Sequence, residues 1–180
     1  MKKMGFILAW ILAIGISGYA DDIDDGMNVI KNGDFVSALK SFTKACDSGN
    51  SKGCRVAGNM YNQGMGVKED SVKAVELLTK ACDGGDGIGC YLLGRIYAKD
   101  QGAKLDNSKR IEFFTKAVKL YKKACDSGDA EGCLGLGNMY ANGMGVERSK
   151  QKSIESYGMA CDMKNEEGCM WYSVLKASKK

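Results

Sequence analysis

From Phe35 onward, apolar residues recur at three- and four-residue spacing. Phe35, Ala38, Leu39, Phe42 and the pair Ala45-Cys46 draw one apolar stripe along a helix of about 13 residues. Asn32-Gly33-Asp34 is a turn that places Asp34 to cap this helix, and Asp47-Ser48-Gly49-Asn50 stops it. Ser51 opens a second helix through Cys54, Ala57-Gly58 and Tyr61, until Gln63-Gly64-Met65-Gly66 breaks it. The same phrases return downstream. Gly-Asn-Met-Tyr at 58–61 recurs at 137–140, Gly-Met-Gly-Val at 64–67 recurs at 143–146, and an altered copy, Gly94-Arg95-Ile96-Tyr97, lies between them. A unit of two helices and two breaks, repeated, predicts an all-α solenoid in which each helix pair buries its stripe against its neighbours.

Full copies run over 51–86, 87–129 and 130–165. They follow an N-terminal partial repeat at 21–50, whose first residues read as a short polar lead-in helix, and precede a C-terminal capping helix at 166–180. The middle copy carries seven extra residues, close to two helical turns, so lengthening the helix around 111–123 keeps its apolar face in phase. Phe113, Phe114, Ala117, Leu120, Tyr121 and Ala124 fit one continuous stripe there. Small pairs, Ala57-Gly58, Leu93-Gly94 and Leu136-Gly137, sit one turn after a cysteine. A mid-helix glycine costs roughly 1 kcal/mol relative to alanine, so these positions imply close helix–helix approach.

The N-terminus changes the setting. Lys2 and Lys3, the apolar segment 6–16 and the small-x-small triplet Gly18-Tyr19-Ala20 read as a secretory signal peptide over 1–20. Its apolar run falls short of the roughly 20 residues a spanning helix needs, so no membrane span is expected after cleavage. Cleavage would lower the formal net charge from +4 to +2, and no basic run with interleaved aromatics appears, which argues against nucleic acid as a partner. The expected location is secreted or periplasmic, the expected state a monomer, and no cofactor or metal is called for.

An oxidising compartment gives the eight cysteines their meaning. They fall in four pairs with seven residues between members: Cys46 and Cys54, Cys82 and Cys90, Cys125 and Cys133, Cys161 and Cys169. Each pair brackets a turn between antiparallel helices, where two Cβ atoms can approach within the ~4 Å a disulfide demands. Four local disulfides are therefore predicted. A zinc site would need four thiolates around one metal although successive pairs are a helix pair apart, and a redox dithiol usually spaces its cysteines by two.

The assembled pattern of small pair, Tyr, Gly-x-Gly-Val loop and Ala-Cys before a glycine turn resembles the Sel-one-like (Sel1-like) repeat, a relative of the tetratricopeptide repeat. With a cysteine pair per unit and a signal peptide, it is similar to the branch formed by the Helicobacter cysteine-rich proteins. The middle unit departs from the pattern, with Lys99-Asp100-Gln101-Gly102-Ala103 in place of Gly-x-Gly-Val. The resemblance implies an α/α superhelical solenoid of disulfide-clipped helix pairs with a concave face lined by the first helix of each unit. It also implies export and, for some members, weak penicillin-binding or β-lactamase activity.

Two kinds of site follow. Arg55 with Asn59, Tyr91 with Arg95, and Leu134 with Asn138 stand at i and i+4 on the first helix of each unit, off the small-residue stripe. Aligned, Arg55, Asn59, Tyr91, Arg95 and Asn138 form a ribbon for a protein or peptidoglycan-derived ligand; ordinary solvent-facing positions account for them equally well. For β-lactam hydrolysis the motif sought is Ser-x-x-Lys, found at Ser37–Lys40, Ser41–Lys44, Ser149–Lys152 and Ser173–Lys176. In so lysine-rich a chain some such spacings arise by chance, and Lys-Thr-Gly and Ser-Asp-Asn are absent. With no histidine in the chain, a Ser-His-Asp triad and the usual metallo-β-lactamase site are excluded. No catalytic residue is assigned, and β-lactams stand as possible ligands only.

Overall fold

A computed structural model of the chain describes residues 22–98 and 106–178. The signal-peptide reading and the loop at 99–103 fall outside these residues. The described residues divide into two compact units, one ending at Gly84 and one beginning at Gly85. Among the described residues every regular element is a helix. The first unit holds α1 (22–31), α2 (Phe35–Asp47), α3 (Ser51–Gln63) and α4 (Ser71–Asp83). The second holds α5 (Gly87–Ala98), α6 (Asn107–Asp126), α7 (Ala130–Asn142), α8 (Lys150–Asp162) and α9 (Glu166–Ala177). Within each unit consecutive helices from α2 onward pack against one another, giving the helix-pair repeat of a solenoid.

The starts of the helices are written locally. The side chains of Asp34, Asn50, Asp70 and Asp106 each accept the backbone N–H three residues on, as do those of Ser149 and Asn165, satisfying amides the helix leaves orphaned. In the first unit Ala38, Phe42, Ala45, Ala57 and Leu77 are buried in one cluster with Ile23 of α1. A Cβ on Gly26 would lie 2.7 Å from the Phe42 ring, so α1 packs on α2 as the first helix of a pair and is more than a polar lead-in. A Cβ on Gly58 would sit 2.9 Å from Leu78 Cγ, and one on Gly137 2.6 Å from the Tyr157 ring; these small residues set how closely the helices of a pair approach.

Three disulfides join the last residues of one helix pair to the first of the next. Cys46–Cys54 links α2 to α3, Cys125–Cys133 links α6 to α7, and Cys161–Cys169 links α8 to α9, with Cα–Cα distances of 4.4, 4.5 and 4.4 Å. Cys82 and Cys90 are also disulfide-bonded, and no cysteine is free. The close approach has a companion, a glycine immediately before each second cysteine. A Cβ on Gly53 would lie 2.7 Å from Ala45 Cβ, on Gly132 2.6 Å from Ala124 Cβ, and on Gly168 2.7 Å from Ala160 Cβ.

The middle insertion is helical. α6 has 20 residues where α4 and α8 have 13, and it starts at Asn107 under an Asp106 cap, four residues before Ile111. Phe114, Ala117, Tyr121 and Cys125 form its buried face, while Phe113 stacks on Tyr97 with ring centroids 5.6 Å apart.

The turn after each clip helix takes a left-handed residue: Gly49, Gly85 and Gly128 have φ of 91°, 90° and 86°, but Lys164 fills the same place after α8 with φ 65°. An L side chain pays roughly 1–2 kcal/mol there, partly offset by the lower unfolded-state entropy of a non-glycine residue. We expect Lys164→Gly to raise the melting temperature by a few degrees; an unchanged or lower value would show that the lysine side chain contributes contacts worth more than the strain.

Candidate functional site

The proposed binding residues divide between the units. Arg55 and Asn59 lie half-buried on α3 of the first, where Asn59 Oδ1 accepts a hydrogen bond from Gln63 Nε2 at 3.4 Å. Tyr91, Arg95 and Asn138 belong to the second, on α5 and α7. Leu134, the partner of Asn138 at i−4, is buried at 7% exposure and so contributes to the core, a correction to its reading as a surface position.

In the second unit the structure brings Tyr91 and Asn138 onto one half-open cavity of about 280 Å³. Tyr91 of α5, Tyr121 of α6, Gly135, Asn138, Met139 and Asn142 of α7, and Met144 from the following loop line it. Gly135 helps to shape it. Its counterparts, two residues after the second cysteine in the other copies, are Val56, Leu92 and Trp171, whereas a Cβ on Gly135 would meet the Tyr121 ring at 2.7 Å. The missing side chain is what lets the Tyr121 ring lie against α7. Arg95 is outside this lining but stands by Tyr91, its guanidinium carbon 5.8 Å from the centre of the ring, within cation–π range.

Asn138 is held from behind. The Tyr157 hydroxyl of α8 donates to Asn138 Oδ1 at 2.7 Å, and Asn142 Nδ2 donates to the Asn138 backbone carbonyl at 2.9 Å. Tyr157 is buried, and that burial, with the Glu167 charge nearby, pushes its phenol up to about 12. The hydroxyl therefore keeps its proton throughout the neutral range. The cavity thus combines the Met144 thioether, an adaptable apolar contact, with amides and aromatic rings that fix orientation, the mixture typical of a ligand site, while Met139 is closed into the core at 1% exposure. A second, more open depression of about 590 Å³ runs along α2 in the first unit, lined in part by Val36, Leu39, Lys40, Lys44 and Tyr61.

The four Ser-x-x-Lys spacings resolve into other roles. Ser149 is the N-cap of α8, its side chain accepting from the Lys152 backbone N–H at 3.2 Å, while the Lys152 ammonium lies 5.4 Å over the Tyr140 ring. Lys44 bonds Asp22 at 2.8 Å, and that hydrogen bond holds its amine above the usual lysine value, the wrong direction for a base. Lys176 Nζ donates to Tyr172 Oη at 2.7 Å, away from Ser173. Ser37 sits in the first turn of α2, its backbone N–H donated to Asp34, and both Ser37 and Lys40 are exposed. Among the described residues no group of acidic and sulfur side chains is arranged to hold a metal ion, and no helix is long and apolar enough to cross a membrane.

The fold has known relatives. A Sel1 repeat protein from Oxalobacter formigenes superposes with a TM-score of 0.59 at 22% identity over 86% of this chain, which spans only 62% of the length of that protein. A putative Sel1 repeat protein from Klebsiella pneumoniae gives 0.48 at 22% identity, covering 86% of this chain and 76% of that one. Helicobacter pylori cysteine rich protein B gives 0.43 at 29% identity, covering 73% and 94%. No curated protein matches. The Sel1 repeat family model matches three times in succession, over residues 51–86, 87–129 and 130–165. With more than half of its length accounted for in this way, the chain belongs to the Sel1 repeat family.

Proposed function

We propose that the protein is an exported interaction scaffold that binds a peptide segment, of a protein or of a peptidoglycan stem, through the cavity at Tyr91 and Asn138. The observation that carries this reading is the cavity itself, which the Asn138 amide of α7, held by Tyr157, lines together with Met144 of the following loop and Tyr91 of α5. A solenoid buries its apolar stripes between neighbours, so the polar positions of each unit's first helix are left for a partner. Export is supported by the state of the cysteines, all eight of them disulfide-bonded, a condition that persists in oxidising compartments. Arg95 beside Tyr91 would favour ligands carrying a carboxylate, which both protein segments and stem peptides supply.

Calorimetric titration of the oxidised protein with two probes, a blocked pentapeptide and a peptidoglycan stem tetrapeptide, tests the reading and separates the two sources. At least one should bind, and Tyr91→Ala and Asn138→Ala should each weaken it roughly tenfold, the loss of a well-placed contact. Equal affinity in both variants would remove the cavity from the account. For the β-lactam hydrolysis implied by resemblance, Ser37, Ser41, Ser149 and Ser173 changed singly to alanine should leave any nitrocefin turnover unaltered. Abolition by one of them would restore a serine mechanism.

A further inference from the structure

We infer that the cavity of the second unit selects an acceptor oxygen, a peptide carbonyl, and that Tyr157 is the positioning residue which imposes this choice. The inference rests on the reading of the cavity as a peptide site and concerns how that site discriminates.

An asparagine side chain is ambiguous by itself, since one end accepts and the other donates. At Asn138 the ambiguity is removed by α8. The Tyr157 hydroxyl is buried and has Asn138 as its partner, at 2.7 Å. A buried O–H left without an acceptor carries the full desolvation penalty, so the hydroxyl donates and Oδ1 is the end that receives it. The proton does not leave in the neutral range, because burial stabilises the neutral phenol. What Asn138 has left for the cavity is its Nδ2 amide, a donor. Asn142, on the same wall, gives one of its two Nδ2 hydrogens to the Asn138 carbonyl at 2.9 Å, which ties its side chain to its own helix. The oriented donor of Asn138 and the half-buried thioether of Met144 then suit an acceptor oxygen flanked by an apolar side chain. At about 280 Å³ the cavity lies at the small end of ligand sites and takes one residue of an extended chain.

Comparison among the copies shows that this arrangement belongs to one place. The residue corresponding to Tyr157 on α4 is Leu78, which has no hydroxyl, and there Asn59 takes its hydrogen bond from Gln63 on its own helix. Arg95 stands at the corresponding position of α5, a donor with no acceptor end at all. Donor character is thus built twice in the second unit, by residue type at 95 and by hydrogen-bond partner at 138.

The test uses the oxidised full chain and the blocked pentapeptide acetyl-Ala-Leu-Ala-Leu-Ala-amide, which offers backbone carbonyls and no carboxylate. Tyr157→Phe keeps the ring that packs on Gly137 and deletes only the hydroxyl; it should weaken binding roughly fivefold, a lost hydrogen bond's worth, and shift the Asn138 side-chain amide proton resonances in the free protein. Asn138→Asp keeps the shape but turns the cavity wall from donor to acceptor, and should abolish binding of this probe. If Tyr157→Phe proves too unstable to titrate, the Asn138→Asp result decides. Unchanged affinity in Tyr157→Phe, or binding retained in Asn138→Asp, overturns the inference while leaving the cavity as a peptide site. Absence of binding by the wild type, with the stem tetrapeptide silent as well, overturns both.

Discussion

Replacing Gly145 with alanine should destabilise the second unit by roughly 3 kcal/mol and lower its melting temperature by roughly 10–20 °C. Two costs combine. Gly145 has φ 67°, a left-handed conformation that an L side chain adopts only with strain. Its Cβ would also come 2.3 Å from the carbonyl carbon of Phe114 and 2.4 Å from the Thr115 nitrogen, both backbone atoms of α6 that cannot swing aside. The loop after α7 lies directly on α6 here, tied by a hydrogen bond of 3.2 Å from Thr115 Oγ1 to the Gly145 carbonyl. Gly66 repeats the arrangement in the first unit, where an added Cβ would meet the Phe35 carbonyl at 2.5 Å. The second glycine of Gly-x-Gly-Val is thus required by close contact with the helix one step back in the array. Gly128→Ala is the internal control. It has the same handedness, φ 86°, but nothing lies within 4 Å of its added Cβ, so it should cost only about 1 kcal/mol. Thermal melts of both variants decide, and equal losses would show that contact with α6 contributes nothing.

The second large effect is expected from the clips. Changing Cys125 and Cys133 together to alanine should cost roughly 2.5 kcal/mol, the unfolded-state entropy released when a loop of about nine residues is opened. Both cysteines are buried, at 2% and 0% exposure, and join α6 to α7, the two helices that carry Tyr121 and Asn138. The helices should stay formed, because their caps are untouched and alanine keeps both buried positions apolar, while guanidinium denaturation moves to lower concentration. A midpoint unchanged from the wild type would mean that packing of Gly132 on Ala124 holds the pair unaided.

Much of this architecture is legible in the chain because it is local. A cap such as Asp34, a stripe such as Ala38-Leu39-Phe42 and a break such as Gly64-Met65-Gly66 each act within a few residues, and repetition confirms each by its copies. The clips are legible for the same reason, since each cysteine pair brackets one turn. The glycine before each second cysteine was equally visible, at Gly53, Gly89, Gly132 and Gly168, but its meaning depends on what faces it across the helix pair. The site is less legible. Asn138 and Tyr157 are 19 residues apart and meet only because of the register between α7 and α8. Leu134 shares the spacing of Arg55 and Tyr91 yet is buried, because its own apolar character recruits it to the core. Ser149–Lys152 shows the opposite failure. A serine three residues before a lysine is also the spacing of a helix cap and the backbone amide it receives, and the local role is the one realised.

The most direct measurement of the central claim is the set of intermolecular nuclear Overhauser effects between the methionine methyls of the wild-type protein and the bound peptide probe. Met144 lines the cavity and is half-buried, Met139 is closed into the core at 1% exposure, and Met159, Met163 and Met170 lie exposed on and after α8 and on α9. Contacts are expected from the probe's leucine methyls to Met144. Contacts confined to Met159, Met163 or Met170 would place the peptide on another surface and contradict it.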